Sequence, residues 1–149
     1  MPETRLQKRQ RRETGHNARD FQFYDFAKNH GRHWDLLKQL MTRLEETQDC
    51  VGFWYNRENI LMHLESLIVV VRNDSPCDIV GFVKRMDWEW SGTGFMIDLF
   101  QVFPQRQGYG TMIVEHLMEV HKRVHVYSVL EDAEPFWKQM HKRFGLTFG

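Results

Sequence analysis

The 149-residue sequence has few cysteines, no long apolar run and no apolar segment near its N-terminus. Its two cysteines, Cys50 and Cys77, have the spacing of neither a zinc site nor a disulfide framework. No apolar stretch approaches the ~20 residues that a membrane-spanning helix needs. The polar N-terminus lacks the apolar core of a secretory signal. These absences predict an intracellular protein without a bound metal, a membrane partner or structural disulfides.

The sequence also lacks net charge, because 20 Lys and Arg balance 20 Asp and Glu. No global field therefore favours nucleic acid or a membrane surface as a partner. The charge is uneven, since residues 1–20 hold six basic and three acidic side chains. This segment is predicted to be a disordered, solvated arm, with a nucleic-acid contact as the less favoured alternative. Residues 21–149 have the length and apolar content of one domain.

Hydrophobic periodicity predicts strands and helices along this domain. The predicted strands cover residues 21–26, 67–71, 79–83, 95–102, 124–129 and 146–148. Helices are predicted at about 32–47, 60–64, 113–118 and 133–144. Hairpins connect the central strands, and helical crossovers connect the later ones. This order predicts an α/β fold, in which a mixed sheet has helices on both faces.

The last predicted helix has the clearest terminal signals. Asp132 is a suitable N-cap, Pro135 lies in the first turn, and Gly145 can end the helix. The short strand that follows could lie parallel beside the fifth strand and would cover only part of its edge. Unpaired backbone groups there predict a homodimer or a docked partner segment, with a hydrated monomer as the alternative.

A glycine-containing turn, Gln105-Arg106-Gln107-Gly108-Tyr109-Gly110, lies between a predicted strand and an amphipathic helix. The first N–H groups of a helix are unpaired, and its dipole favours an anion there. Gly108 and Gly110 lack the β-carbons that would keep a pyrophosphate away from those amides. A plain tight turn is the alternative. The segment lacks the Lys of a P-loop and the third Gly of a dinucleotide fingerprint.

This turn and the order of elements around it resemble the GNAT superfamily of N-acetyltransferases. That superfamily shares the turn R/Q-x-x-G-x-G/A after its fourth strand, and Gln105, Gly108 and Gly110 match it. The resemblance extends from about Leu67 to Phe148. It implies a central twisted mixed sheet, acetyl-CoA as the cofactor, and direct transfer of the acetyl group to a primary amine. The amine acceptor, in a small molecule or a protein, is not revealed by the sequence.

The resemblance also implies where acetyl-CoA would bind. Its pyrophosphate would lie on the turn amides, its pantetheine along the edge of the fourth strand, and the last helix would form a wall. The implied cofactor-binding residues are Val102, Phe103, Gln105, Arg106, Gln107, Gly108, Tyr109, Gly110, Thr111, Phe136 and Trp137. Trp137 stands where the family often has a Tyr that protonates the leaving thiolate. An indole cannot do so, and Tyr127 is the candidate substitute.

Asp98 is the candidate base, since an attacking amine must be neutral and Asp98 is expected to share a strand face with Phe100 and Val102. Glu89 is the second candidate, and a structural ion pair is the alternative function of Asp98. His121 and His125 have the spacing of a helical metal pair, but the helix is predicted to end between them.

Two other functions stay open at this point. One is a non-catalytic acyl-CoA-binding or regulatory module on the same fold, which Trp137 suggests. The other is a nucleic-acid-associated protein that uses its basic arm.

Overall fold

The computed structural model describes residues 5, 16–28, 34–48, 50–74, 78–86, 94–103, 108–127 and 129–149. The strands are β1 (Phe21–Asp25), β2 (Leu67–Arg72), β3 (Ile79–Arg85), β4 (Gly94–Val102), β5 (Arg123–Val126) and β6 (Thr147–Phe148). The helices are α1 (Trp34–Thr47), α2 (Cys50–Met62), α3 (Tyr109–Val120) and α4 (Glu134–Phe144). Within these ranges, no helix combines the length and the apolar character that crossing a membrane requires.

All six strands form one mixed sheet in the order β1-β2-β3-β4-β5-β6. The first four pair antiparallel, whereas β4, β5 and β6 are parallel. Helices α3 and α4 pack on one face through residues such as Ile113 and Met140. Helices α1 and α2 pack on the other face through residues such as Leu40 and Ile60. The predicted α/β fold, in which a mixed sheet has helices on both faces, is confirmed.

The central strands are buried because both of their faces carry apolar side chains. In β2, Val70 packs with the α3/α4 side, and Val69 and Val71 pack with the α1/α2 side. All three are fully buried. A continuous β-branched run is what a strand covered on both faces requires, so this part of the fold is readable from the sequence.

Gly81 marks a close approach between β3, β4 and α3. A β-carbon on Gly81 would lie 2.8 Å from the backbone oxygen of Gln101 and 3.2 Å from the Cδ1 atom of Ile113. We expect Gly81→Ala to lower the free energy of unfolding by about 1–3 kcal/mol, because the strands must shift to relieve this overlap. Urea unfolding followed by circular dichroism measures the change. An unaltered midpoint would contradict the close approach.

Several predicted boundaries differ from the structure, including those of α2, β5 and α4. Helix α2 begins at Cys50, well before the predicted start near residue 60. Strand β5 ends at Val126 rather than at residue 129, because β4 and β5 part there. Helix α4 has Ala133 rather than Asp132 as its N-cap, because a 3-10 turn over Glu131–Ala133 leads directly into it. Pro135 in the first turn and Gly145 at the end of α4 are confirmed.

The end of the predicted basic arm packs on the domain. His16 stacks on Tyr109 with ring centroids 4.5 Å apart. The buried Asn17 side chain accepts a hydrogen bond from the Arg19 N–H at 3.1 Å and caps a 3-10 turn over Ala18–Asp20. The domain therefore includes these residues, although the predicted arm extends to residue 20. Apart from Arg5, the rest of that arm lies outside the described residues.

The predicted last strand is present as β6 and lies parallel to β5. Thr147 pairs with His125 and Phe148 with Val126, and the Gly149 N–H donates to the Val126 carbonyl at 3.1 Å. Self-association or partner docking at this edge stays a prediction. We expect a dimer in sedimentation velocity at micromolar concentration. A monomer near 18.0 kDa would exclude self-association.

Candidate active site

Strands β4 and β5 pair over four positions and then part. Their last pair is Ile97 with Val126, after which the Tyr127 N–H donates to the Ile97 carbonyl at 3.0 Å. Strand β4 continues to Val102 and stays paired with β3 along its other edge. In the described part of the chain, β4 from Asp98 to Val102 therefore has no strand partner on its β5 side. This edge can hydrogen-bond to an extended ligand.

A β-bulge lies where the two strands part. Lys84 pairs with Leu99, but Arg85 pairs with Ile97, so Asp98 is the extra residue in β4. The bulge shifts the alternation of side chains along the strand. Ile97 before it and Phe100 after it consequently both pack on the α3/α4 side. Asp98 therefore occupies an irregular position at the point of parting.

Asp98 forms an ion pair with a buried lysine. The Lys84 Nζ lies 3.2 Å from the Asp98 Oδ2, and the Lys84 side chain is only 2% exposed. The Asp98 side chain is 24% exposed. The structural ion pair that was the alternative for Asp98 is therefore present, and its function as a base stays a prediction. Glu89, the second candidate, lies outside the described residues.

The N-terminus of α3 presents backbone amides without a side-chain cap. Its N-cap is Gly108, whose φ of 80° and ψ of 0° define a left-handed conformation that favours glycine. Glycine has no side chain that could cap the helix start, and among the residues that the structure describes no side-chain cap is present. The amides of Tyr109, Gly110 and Thr111 lie in this first turn and can bind an anion. Gln105, Arg106 and Gln107 of the predicted turn lie outside the described residues.

Gly110 has a packing function that the sequence did not reveal. A β-carbon there would lie 3.1 Å from Cζ of Phe136 and 3.7 Å from Cε1 of Phe100. The start of α3 therefore lies against α4 and against the parted segment of β4.

The Tyr109 side chain is turned into the core and anchors α3. It packs against Phe21, and its hydroxyl accepts a hydrogen bond from Nη2 of Arg72 at 2.5 Å. This hydrogen bond raises the pKa of Arg72 above its ordinary value, against the opposing effect of burial. Any contact of Tyr109 with an anion at the helix start is therefore made by its backbone. The sequence gives no sign that Arg72 is the partner of Tyr109, because the two lie 37 positions apart along the chain.

Aromatic side chains cover the parted strands on the α4 side. Trp137 is 4% exposed, and its ring centroid lies 5.2 Å from Phe100 and 4.8 Å from Phe136. In the last pair between β4 and β5, Ile97 lies opposite Val126. Asp98 follows Ile97, and Tyr127, which is 41% exposed, follows Val126. The two candidate catalytic residues therefore lie on opposite sides of the point of parting. The function of Tyr127 as an acid stays a prediction.

The end of β4 contributes less than the sequence suggested. Val102 pairs with Gly81 of β3 and is partly buried on the α3/α4 side. The Phe103 N–H donates to the Val80 carbonyl at 2.8 Å, and its ring stacks on Phe82 in the α1/α2 core. The ring and the N–H of Phe103 thus make contacts within the protein, and binding of a cofactor by Val102 or Phe103 stays a prediction.

The prediction that His121 and His125 do not share a helix is confirmed, although the helix ends just before His121 rather than between the two. Helix α3 ends at Val120, and His125 lies in β5. The part of the chain that the structure describes contains no group of three His, Cys, Asp or Glu side chains suited to a metal.

Two histidines, His116 within α3 and His121 directly after it, make stability depend on pH. His116 stacks on Phe23 with centroids 4.0 Å apart, and its pKa is lowered by burial and then by the charge of His121. Burial likewise lowers the pKa of His121, with Arg85 and Lys28 adding to the effect and Asp25 opposing it. As the pH falls, the unfolded chain therefore protonates these two histidines at a higher pH than the folded protein does.

We expect the urea midpoint to fall as the pH drops below about 6.5, the ordinary histidine pKa, and to be steady just above it. His116→Phe keeps a ring on Phe23 and should reduce the fall. Midpoints measured at several pH values between about 5 and 8 test this. An equal fall in both proteins would show that His116 does not contribute.

No family model and no curated protein matches the chain. It is similar to a solved structure assigned to the GNAT family of acetyltransferases, from Desulfovibrio desulfuricans, with 14% identity and a TM-score of 0.48 over 84% of this chain and 82% of that one. A structure assigned as an acetyltransferase, from Exiguobacterium sp., has 20% identity and a TM-score of 0.45 over 81% and 83%.

Glucosamine-6-phosphate N-acetyltransferase from Arabidopsis thaliana has 17% identity and a TM-score of 0.38 over 80% and 88%. Similarities at these levels assign no activity to this chain.

Proposed function

We propose that this protein is an acetyl-CoA-dependent N-acetyltransferase that acts on a primary amine of a small molecule or of a protein. The observation that carries the proposal is the contact between two features of the site. The start of α3 lies against the β4 segment that has parted from β5, since a β-carbon on Gly110 would lie 3.7 Å from Cε1 of Phe100. The unpaired edge of β4 suits an extended chain with amide groups, and the start of α3 suits an anion.

The described residues fit two parts of acetyl-CoA, its pyrophosphate and its pantetheine. Its pyrophosphate is an anion, and the amides of Tyr109, Gly110 and Thr111 at a helix start favour anions through both hydrogen bonds and the dipole. Its pantetheine is an extended chain with two amide groups, which can pair with a strand edge as an added strand would. When bound, acetyl-CoA supplies the thioester that the amine attacks.

The chain's own groups would assist this attack at the point of parting. The amine nitrogen bonds to the acetyl carbon and the bond from that carbon to sulfur breaks. Asp98 accepts the proton that the amine loses. A β4 backbone N–H on the unpaired edge donates to the acetyl oxygen as negative charge develops there. Tyr127 or water protonates the thiolate, whose conjugate thiol has a pKa of about 8.5 and therefore leaves readily.

Release of free thiol from acetyl-CoA, measured with a panel of amines and peptides, tests the proposal. We expect one or more amines to raise thiol release above the rate without amine, and acetylated product to form in equal amount. Binding of acetyl-CoA without thiol release would favour a non-catalytic acyl-CoA-binding module instead. If the protein neither binds acetyl-CoA nor releases thiol from it, both functions are overturned.

A further inference from the structure

Lys84 is a buried cation where the fold does not require one. Its side chain is among the largest fully buried ones, although it lies at the β3 position opposite the apolar Leu99. Burying an ammonium group is costly unless a counter-charge is close, and an apolar side chain of similar volume often stabilises such a site equally well. Stability alone therefore does not explain this lysine.

The counter-charge of Lys84 is the bulge residue Asp98, 3.2 Å away. A bulge residue has no partner directly opposite on the neighbouring strand, so the ladder does not fix its side chain. The hydrogen bond from the Lys84 Nζ to Oδ2 provides that constraint. The second carboxylate oxygen, Oδ1, has no hydrogen-bond partner in the part of the chain that the structure describes. It therefore stays able to accept a proton at the point where β4 and β5 part.

We propose that Lys84 is a positioning residue for acetyl transfer, which holds the Asp98 carboxylate so that Oδ1 receives the proton of the attacking amine. This inference rests on the proposed function. As the bond from nitrogen to carbon forms, the bond from carbon to sulfur breaks and its electron pair goes to sulfur. The amine proton passes to Oδ1 of Asp98 and then to solvent. Lys84 does not touch the substrate.

A double-mutant cycle of Lys84→Met and Asp98→Asn tests the proposal. Because misplacing a reacting group by about 1 Å can cost ~10²-fold in rate, we expect Lys84→Met to lower kcat about 10- to 100-fold. The KM for acetyl-CoA should stay unchanged. In the Asp98→Asn background, Lys84→Met should lower kcat by less than about threefold, since Lys84 then has no base to position.

Two controls separate positioning from damage to the fold. Lys138→Met removes an exposed ion pair with Glu134, whose atoms lie 3.0 Å apart, and should leave kcat unchanged. Each variant should also keep the acetyl-CoA-induced rise in melting temperature. Should Lys84→Met alone not fold, the double variant, which buries no charge at this pair, is compared directly with Asp98→Asn. Equal kcat values, both at least about 10²-fold below that of the wild type, support the proposal because Lys84 then acts only through Asp98, and a much slower double variant overturns it.

The outcomes also distinguish this proposal from the proposed function. A wild-type protein that releases no thiol with any amine overturns both. If the wild type is active but the decreases in kcat of the two single variants multiply in the double variant, only the positioning function is overturned. The same holds if Lys84→Met has the wild-type kcat.

Discussion

Gly108→Asp is expected to abolish the rise in melting temperature that acetyl-CoA gives the wild-type protein. An aspartate at an N-cap accepts hydrogen bonds from the first helical amides, which are the groups that the pyrophosphate would use. Its charge also repels the phosphates. At an acetyl-CoA concentration of 100 times Kd, binding stabilises the native state by about 2.7 kcal/mol. For a domain of this size that amounts to several degrees.

Gly145→Asp is the matched control for this variant. Gly145 has φ 79° and ψ 13°, close to the φ of 80° and ψ of 0° at Gly108, and no atom lies within 4 Å of its added β-carbon. Both variants place an aspartate in a strained left-handed conformation, so both should melt at lower temperature. Only Gly108→Asp should lose the response to acetyl-CoA. If acetyl-CoA raises the melting temperature of both variants equally, the start of α3 is not the phosphate site.

The strand order was predictable because the apolar pattern of the central strands is strong. Strand β2 is a β-branched run, the first five residues of β3 are apolar or glycine, and both strands are buried on both faces, as no surface helix is. Helix α2 was largely missed for the opposite reason. It carries exposed aromatic residues, Trp54 and Tyr55, beside partly buried Phe53, so its apolar residues do not form one stripe. Tertiary packing decides its length.

The candidate site was predictable only where backbone conformation constrains the residue type. A left-handed N-cap favours glycine, so Gly108 is visible in the sequence. The parting of β4 from β5 depends instead on which strands pair, and the bulge at Asp98 depends on the register with β3. A lysine in a sequence is normally expected at the surface. The buried position of Lys84 could not be predicted, because its ion-pair partner Asp98 lies 14 residues later in the chain and is brought close only by strand pairing.

Asp98→Asn is expected to lower the turnover of acetyl transfer by ~10²–10⁴-fold, the usual contribution of a general base. The asparagine keeps the shape of the side chain and can still accept a hydrogen bond from Lys84, but it cannot take the proton of the amine. The KM for acetyl-CoA should change little, since the phosphate and pantetheine contacts are made elsewhere. Initial rates of thiol release over a range of acetyl-CoA concentrations separate the two parameters.

The same substitution leaves the Lys84 charge buried without its counter-charge. Removing one partner of a fully buried pair costs about 3–5 kcal/mol, and the cost here should be smaller because Asp98 is partly exposed. The assay is therefore run well below the melting temperature of the variant, with the folded fraction checked by circular dichroism. A folded variant that retains more than about a third of wild-type turnover would assign Asp98 to the ion pair alone. A folded variant that binds acetyl-CoA and loses turnover by two orders of magnitude or more would identify Asp98 as the base.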